Sequence, residues 1–169
     1  ENPVAKISKP RAARSRERFL SDQERDRLLS ACKASRSQFL YTVVVLAIST
    51  GMRRGEIMGL RWKNVDLANS CLRLTETKND TSRSIPLAGL ALTLMTQLSK
   101  VRRIDSDLVF YGRDKAQPID LKKPWETALR KAGINDFRFH DLRHTAASYL
   151  AMNRATTVEI AAVLGHKTL

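Results

Sequence analysis

Apolar positions begin to recur at helical spacing near Phe19 and Leu20. Ser21, followed three residues later by Glu24, has the form of a capping box, in which each side chain satisfies the other's backbone N–H. This predicts a helix over residues 21–33 with Leu28, Leu29 and Cys32 on its apolar face. A second helix, rich in apolar residues on every side and therefore central, is expected over 37–49. A third is expected over 54–60. Between residues 71 and 87 the period falls to two: Leu72 and Leu74 alternate with Arg73 and Thr75, and residues 84–87 read as a return strand. Asn79-Asp80 supplies the turn, so the segment predicts a β-hairpin, with Leu108-Val109-Phe110 as a short third strand. Helices recur over 88–99, 122–132, 141–152 and 158–164. The fold class expected is mainly α with a small antiparallel β-sheet of about three strands.

Residues 1–18 show no such periodicity. They carry Pro3, Pro10, Lys6, Lys9, Arg11, Arg14, Arg16 and Arg18, and read as a basic linker ahead of a folded domain over 19–169. Opening on Glu1 with no methionine, the chain reads as a piece of something longer. Arg11 and Arg14 suit contact with a phosphate backbone, although a merely solvated linker has the same composition.

Charge sharpens this picture. Thirty Lys and Arg face 17 Asp and Glu, a formal net charge of +13. Such a surface attracts a polyanion, with nucleic acid ahead of an anionic membrane; a simply solvated basic face is the plainer reading. No apolar run approaches the ~18 residues of a membrane-spanning helix, and residues 43–48 form the longest. The N-terminus lacks the apolar core of a signal peptide. Cys32 and Cys71 form no metal-ligand pattern, so a reduced cytoplasm is the expected compartment.

Four short segments carry candidate chemistry: Thr50-Gly51-Met52-Arg53-Arg54-Gly55-Glu56-Ile57, the hairpin with Lys78 and Arg83, His140-Asp141-Leu142-Arg143-His144-Thr145, and Leu164-Gly165-His166-Lys167. Each alone is weak, but their order and spacing are specific. From about residue 19 onward the chain resembles tyrosine recombinases of the phage-integrase type. That resemblance implies the recombinase catalytic-domain fold and an active site of Arg, Lys, His-x-x-Arg, a second His or Trp, and a Tyr nucleophile. Matched residue by residue it assigns Arg53, Lys78, His140, Arg143 and His166, with Glu56 as the acid that often follows the first arginine. It also implies DNA breaking and rejoining through a 3′-phosphotyrosyl intermediate, with no cofactor and no metal. Duplex DNA is the implied partner. Arg11, Arg14, Lys78, Arg83 and Lys167 are the expected DNA contacts. The full-length protein would act as a tetramer on synapsed DNA, in the cytoplasm of a bacterium carrying a phage or other mobile element.

The chemistry can be built without the family. Attack on a phosphodiester passes through a pentavalent, more negative phosphoryl group, and planar guanidiniums can each donate two parallel hydrogen bonds to its oxygens. Donors placed where charge develops are worth roughly 3 kcal/mol each by analogy with oxyanion holes. Adjacent helical residues point about 100° apart, so Arg53 and Arg54 cannot both enter one site. Glu56 is either an ordinary surface acid or the group that orients Arg53. Lys78 either meets phosphate or solvent at a hairpin tip or, as the resemblance implies, donates the proton to the departing 5′ oxygen. His140, Arg143 and His144 share a helix face. A zinc reading of His-x-x-x-His fails, because Arg143 would set a positive charge against the metal and no third ligand is clear. His144 reads as a structural histidine packed beside His140. Gly165 can end the last helix in the left-handed region, leaving His166 either exposed or turned toward a phosphate.

One departure matters. The family nucleophile follows the second histidine by two to three helical turns, yet only Lys167, Thr168 and Leu169 follow His166 here, and Tyr41, Tyr111 and Tyr149 match no motif. The expectation is a domain lacking its C-terminal tail, inactive in cleavage by itself and monomeric. The alternatives are a non-catalytic DNA-binding module from a degraded integrase and a type IB topoisomerase-like enzyme. For a phosphoryl site, Arg53, His140, Arg143 and His166 should line one solvent-open basic concavity. The competing picture puts Arg53 and Arg143 on different faces, each paired with its own surface acid.

Overall fold

The computed structural model describes residues 18–76 and 81–165. Lys78, His166, Lys167, Arg11 and Arg14 lie outside the described residues. Helix α1 (Asp22–Lys33) starts on the expected box: Ser21 Oγ accepts from Glu24 N at 3.2 Å, and the Glu24 carboxylate accepts from Ser21 N at 3.0 Å. Arg18 also closes on Glu24, donating from Nη1 at 3.0 Å.

Helix α2 (Leu40–Thr50) is the centre of the molecule. Leu40, Val43, Val44, Val45, Leu46 and Ala47 are all buried, because α1, α4 (Gly89–Lys100), α6 (Asp141–Met152) and the short α3 (Arg54–Met58) pack around it. Each of the leucines and valines contributes about 1.5–3 kcal/mol on leaving water. The helix begins later than its apolar pattern predicts, since residues 38–39 form a turn before it. It stops at Gly51, whose φ of 63° is the left-handed end that glycine adopts without strain.

The sheet has three antiparallel strands in the order β1 (Val65–Asp66), β2 (Cys71–Glu76) and β3 (Thr81–Pro86). Leu72 opposite Ile85 fixes the register, and both are buried. The third strand differs from expectation. It is Val65–Asp66, whereas Leu108 forms only an isolated bridge to Arg61. Leu108-Val109-Phe110 is apolar because all three are core residues, not because they form a strand.

Helix α5 (Lys122–Ala132) packs against α1, and α7 (Thr157–Leu164) packs on α6. Two contacts clamp the start of the folded part onto α6: Leu20 N donates to Thr145 Oγ1 at 3.1 Å, and the Tyr149 hydroxyl donates to the Leu20 carbonyl at 3.3 Å. Tyr149 and Tyr41 are half-buried, and Tyr111 packs edge-on against Phe39 with ring centroids 5.1 Å apart. The fold is therefore mainly helical with a three-stranded antiparallel sheet.

Candidate active site

Three chain segments meet at the C-terminal end of α2. The first is the turn after Gly51. Met52 is buried and pins it, and Arg53 follows in an extended conformation as the residue that opens α3. Its side chain is 45% exposed. Glu56, one turn on, accepts from Arg53 N at 2.7 Å and from Arg53 Nη1 at 3.1 Å. The same carboxylate thus caps the helix and orients the guanidinium.

The second segment is the start of α6. Arg143 sits one turn inside the helix, with only 6% of its surface exposed. Its Nη1 donates to the Gly51 carbonyl and its Nη2 to the Leu164 carbonyl, both at 2.7 Å. Those two bonds use two of the five N–H donors of a guanidinium. Burial is the main reason the Arg143 pKa falls to about 10; Arg53 and Arg83 push it the same way, and Glu56 opposes them. It still carries its charge at neutral pH. His140 stands just before the helix, its ring edge-on to that of His144 with centroids 5.4 Å apart. Loss of hydration around the ring, then the charges of His144, Arg143 and Arg53, lower the His140 pKa, while Asp141 raises it.

The third segment is β3. Arg83, expected among the DNA contacts, turns inward and is 15% exposed. Its Nη2 donates to both oxygens of Glu56 at 2.8 Å, and its Nη1 donates to the Leu164 carbonyl at 2.7 Å.

Arg53, Glu56, Arg83, His140 and Arg143 therefore share one neighbourhood. The expectation of a solvent-open set needs correcting at Arg143, which is sunk between the ends of α2 and α7 and held by backbone carbonyls. The competing picture of two separate surface pairs fits Arg53 and Glu56 but not Arg143, which donates to the Gly51 and Leu164 carbonyl oxygens. Among the described residues around the Arg143 head, the Arg53 and Arg83 guanidiniums gather beside it with the Glu56 carboxylate, a setting in which an entering anion would be favoured.

Two features escaped sequence reasoning, the burial of Asp141 and the inward course of Arg83. Asp141 is 1% exposed, and its Oδ2 accepts from Arg138 N at 2.8 Å, fixing the turn that delivers His140. The inward course of Arg83 follows from the strand period, because positions 83, 85 and 87 alternate onto one face and Ile85 and Leu87 are core residues.

Comparison with known proteins gives the family and the fold. The family model described as "Phage integrase family" matches residues 18–169. The chain belongs to the phage integrase family. A shufflon-specific DNA recombinase of Escherichia coli is 35% identical over 169 residues, which cover 99% of this chain and 42% of that protein. A crystal structure of XerA recombinase superposes with a TM-score of 0.78 at 26% identity, covering 89% of this chain and 57% of that one. The catalytic domain of bacteriophage HP1 integrase gives a TM-score of 0.68 at 25% identity, covering 89% of this chain and 81% of that one. The chain spans less than half the length of the E. coli relative, and its fold is that of the catalytic domain.

Proposed function

We propose that the complete protein is a site-specific DNA recombinase that cuts and rejoins duplex DNA through a 3′-phosphotyrosyl intermediate, and that this domain holds the scissile phosphate. The observation that carries the reading is the buried Arg143 guanidinium, locked by the Gly51 and Leu164 carbonyls within the field of Arg53. Two guanidiniums fixed before substrate arrives form a preorganised donor set for a phosphoryl group that gains negative charge. The name of the 35% identical relative, which specifies DNA recombination, points to the same substrate class.

In this reading Arg53 and Arg143 bind the nonbridging oxygens. His140, kept neutral near physiological pH, and His166 hydrogen-bond the same phosphate. A tyrosine hydroxyl attacks phosphorus, its proton passing to His140, and the P–O5′ bond breaks. Lys78 then gives its proton to the 5′ oxygen. Glu56 orients Arg53. Residues 1–18 serve as a linker, with Arg11 and Arg14 on the DNA backbone, and Lys167 adds a contact beyond α7. The domain over 19–169 is monomeric by itself. The whole protein assembles as a tetramer on synapsed DNA in the cytoplasm.

The test is covalent trapping. The product of the complete reading frame is incubated with a nicked duplex in excess chelator, without nucleotide, and denatured. A detergent-resistant protein–DNA adduct is expected, and Arg53→Ala should lower its rate by about 100-fold or more, the scale of losing one preorganised donor. An adduct that forms only when magnesium is supplied overturns the tyrosine mechanism.

A further inference from the structure

The hydrogen bonds at the site close into a ring. Arg53 donates to Glu56, Glu56 accepts from Arg83, and Arg83 donates to the Leu164 carbonyl. Arg143 donates to that same carbonyl and to the Gly51 carbonyl, and the backbone from Gly51 returns to Arg53. Arg83 is the member the sheet contributes. It touches each arginine of the site through one shared acceptor, Glu56 on one side and Leu164 O on the other.

A second observation, independent of these bonds, bears on the same contact. Gly165 has a φ of 68°, and a Cβ built there would lie 1.6 Å from Arg83 Nη1. The space over the end of α7 is thus filled by the Arg83 guanidinium, and only glycine leaves room for it. The Arg83 terminal nitrogens are turned to Glu56 and Leu164, on the side of the core residues Ile85 and Leu87. That leaves them badly aimed for a DNA backbone, the role its charge and its place in the hairpin first imply.

We propose that Arg83 is a positioning residue: by bridging the Glu56 carboxylate and the Leu164 carbonyl, it holds Arg53 and Arg143 at the separation one phosphate requires. A lysine cannot substitute. Its ammonium is a single point charge on a flexible stem, whereas the guanidinium fork satisfies two acceptors on different elements at once. This assignment rests on the phosphate-binding reading of Arg53 and Arg143 given above.

The test uses the 169-residue chain with two probes: inorganic phosphate, followed by the His140 Cε1 resonance, and a short duplex, followed as a function of salt. A residue that contacts phosphate lowers the slope of log K against log salt by about 0.9 when removed, and a residue that only positions others does not. For Arg83→Lys, phosphate affinity is expected to fall about tenfold with the salt slope unchanged. Glu56→Gln should produce the same loss, and the double variant should lose little more, because both act through one bridge. Gly165→Ala should resemble Arg83→Lys. The proposal is overturned if Arg83→Lys and Glu56→Gln each keep phosphate affinity within twofold. It is also overturned if Arg83→Ala, checked for folding by its thermal transition, lowers the slope and leaves phosphate binding intact, since Arg83 is then a DNA contact. If instead the unaltered chain binds no phosphate, or Arg53→Ala and Arg143→Ala leave binding unchanged, the underlying site reading falls and takes this one with it.

Discussion

Arg143 donates to the carbonyl oxygen of Gly51 at 2.7 Å, tying α6 to the turn that presents Arg53. The two arginines therefore have unequal consequences for folding. Removing Arg143 strands a buried carbonyl at Gly51 and takes one of two donors from Leu164 O. Arg143→Ala should cost about 2 kcal/mol or more, the scale of a buried group left without its partner. Arg53 keeps 45% of its side chain exposed, and its i,i+3 pair with Glu56 is worth about 0.5 kcal/mol. Urea unfolding of both variants checks this. Equal losses would mean that Arg143 is not the structural half of the pair.

Gly51 should tolerate no side chain. Its φ of 63° costs an alanine about 1–2 kcal/mol, and the added Cβ would sit 2.3 Å from Leu164 Cδ2. Gly51→Ala is expected to lower stability by about 2 kcal/mol and to move Leu164, whose carbonyl serves Arg143 and Arg83. A variant as stable as the parent, with an unmoved Leu164 resonance, contradicts this account of the turn.

Much of this was readable from sequence, for physical reasons that differ by element. Helices α5 and α6 lie over the residues expected for them; Gly133, which ends α5 with φ 66°, is a stop visible in the sequence, whereas the turn closed by Asp141 ahead of α6 is seen only in the structure. The hairpin was legible from its period. Strand β1 was not, since two residues cannot display a period, and its place was given to Leu108-Val109-Phe110, whose apolar run reflects burial alone. The pairing of Arg53 with Glu56 follows from one helical turn of spacing, which is local. The burial of Arg143 and the bridge made by Arg83 depend on where α7 ends relative to β3, and no local pattern encodes that distance.

The cap of α1 gives a pH test. Hydrogen bonding to Arg18, with further help from the Ser21 backbone, holds the Glu24 carboxyl down at about 2 against an ordinary value near 4.5. A carboxyl with a depressed folded pKa contributes stability that is fully present above the unfolded value and lost as pH falls toward the folded one. The contribution should fade between about pH 4.5 and 2. Glu24→Gln should flatten the stability curve in that window, and Ser21→Ala should cost about 1 kcal/mol at neutral pH through loss of the cap. Unchanged acid sensitivity in Glu24→Gln would place the titrating group elsewhere.

His140 gives the last test; its sign is the same, although dehydration rather than an ion pair is the main cause. The folded protein lowers its pKa below the ordinary 6.5, so the folded state binds the proton less readily than the unfolded chain does. Stability from this group is complete above about 6.5 and declines as pH falls through the lower folded value. His140→Gln should remove that part of the decline. The causes also have an order: dehydration first, then His144, then Arg143, with Arg53 smallest. His144→Gln should therefore raise the His140 titration midpoint more than Arg53→Ala does, and neither should restore 6.5 while the ring stays crowded. Phosphate acts the other way on the same resonance, because an anion beside the ring favours imidazolium, so the midpoint should climb as phosphate is added. Following the Cε1 proton of His140 through a pH series, with and without phosphate, reads all of these at once. A midpoint at or above 6.5 in the free protein, or one indifferent to phosphate, would remove His140 from the neighbourhood of the two arginines.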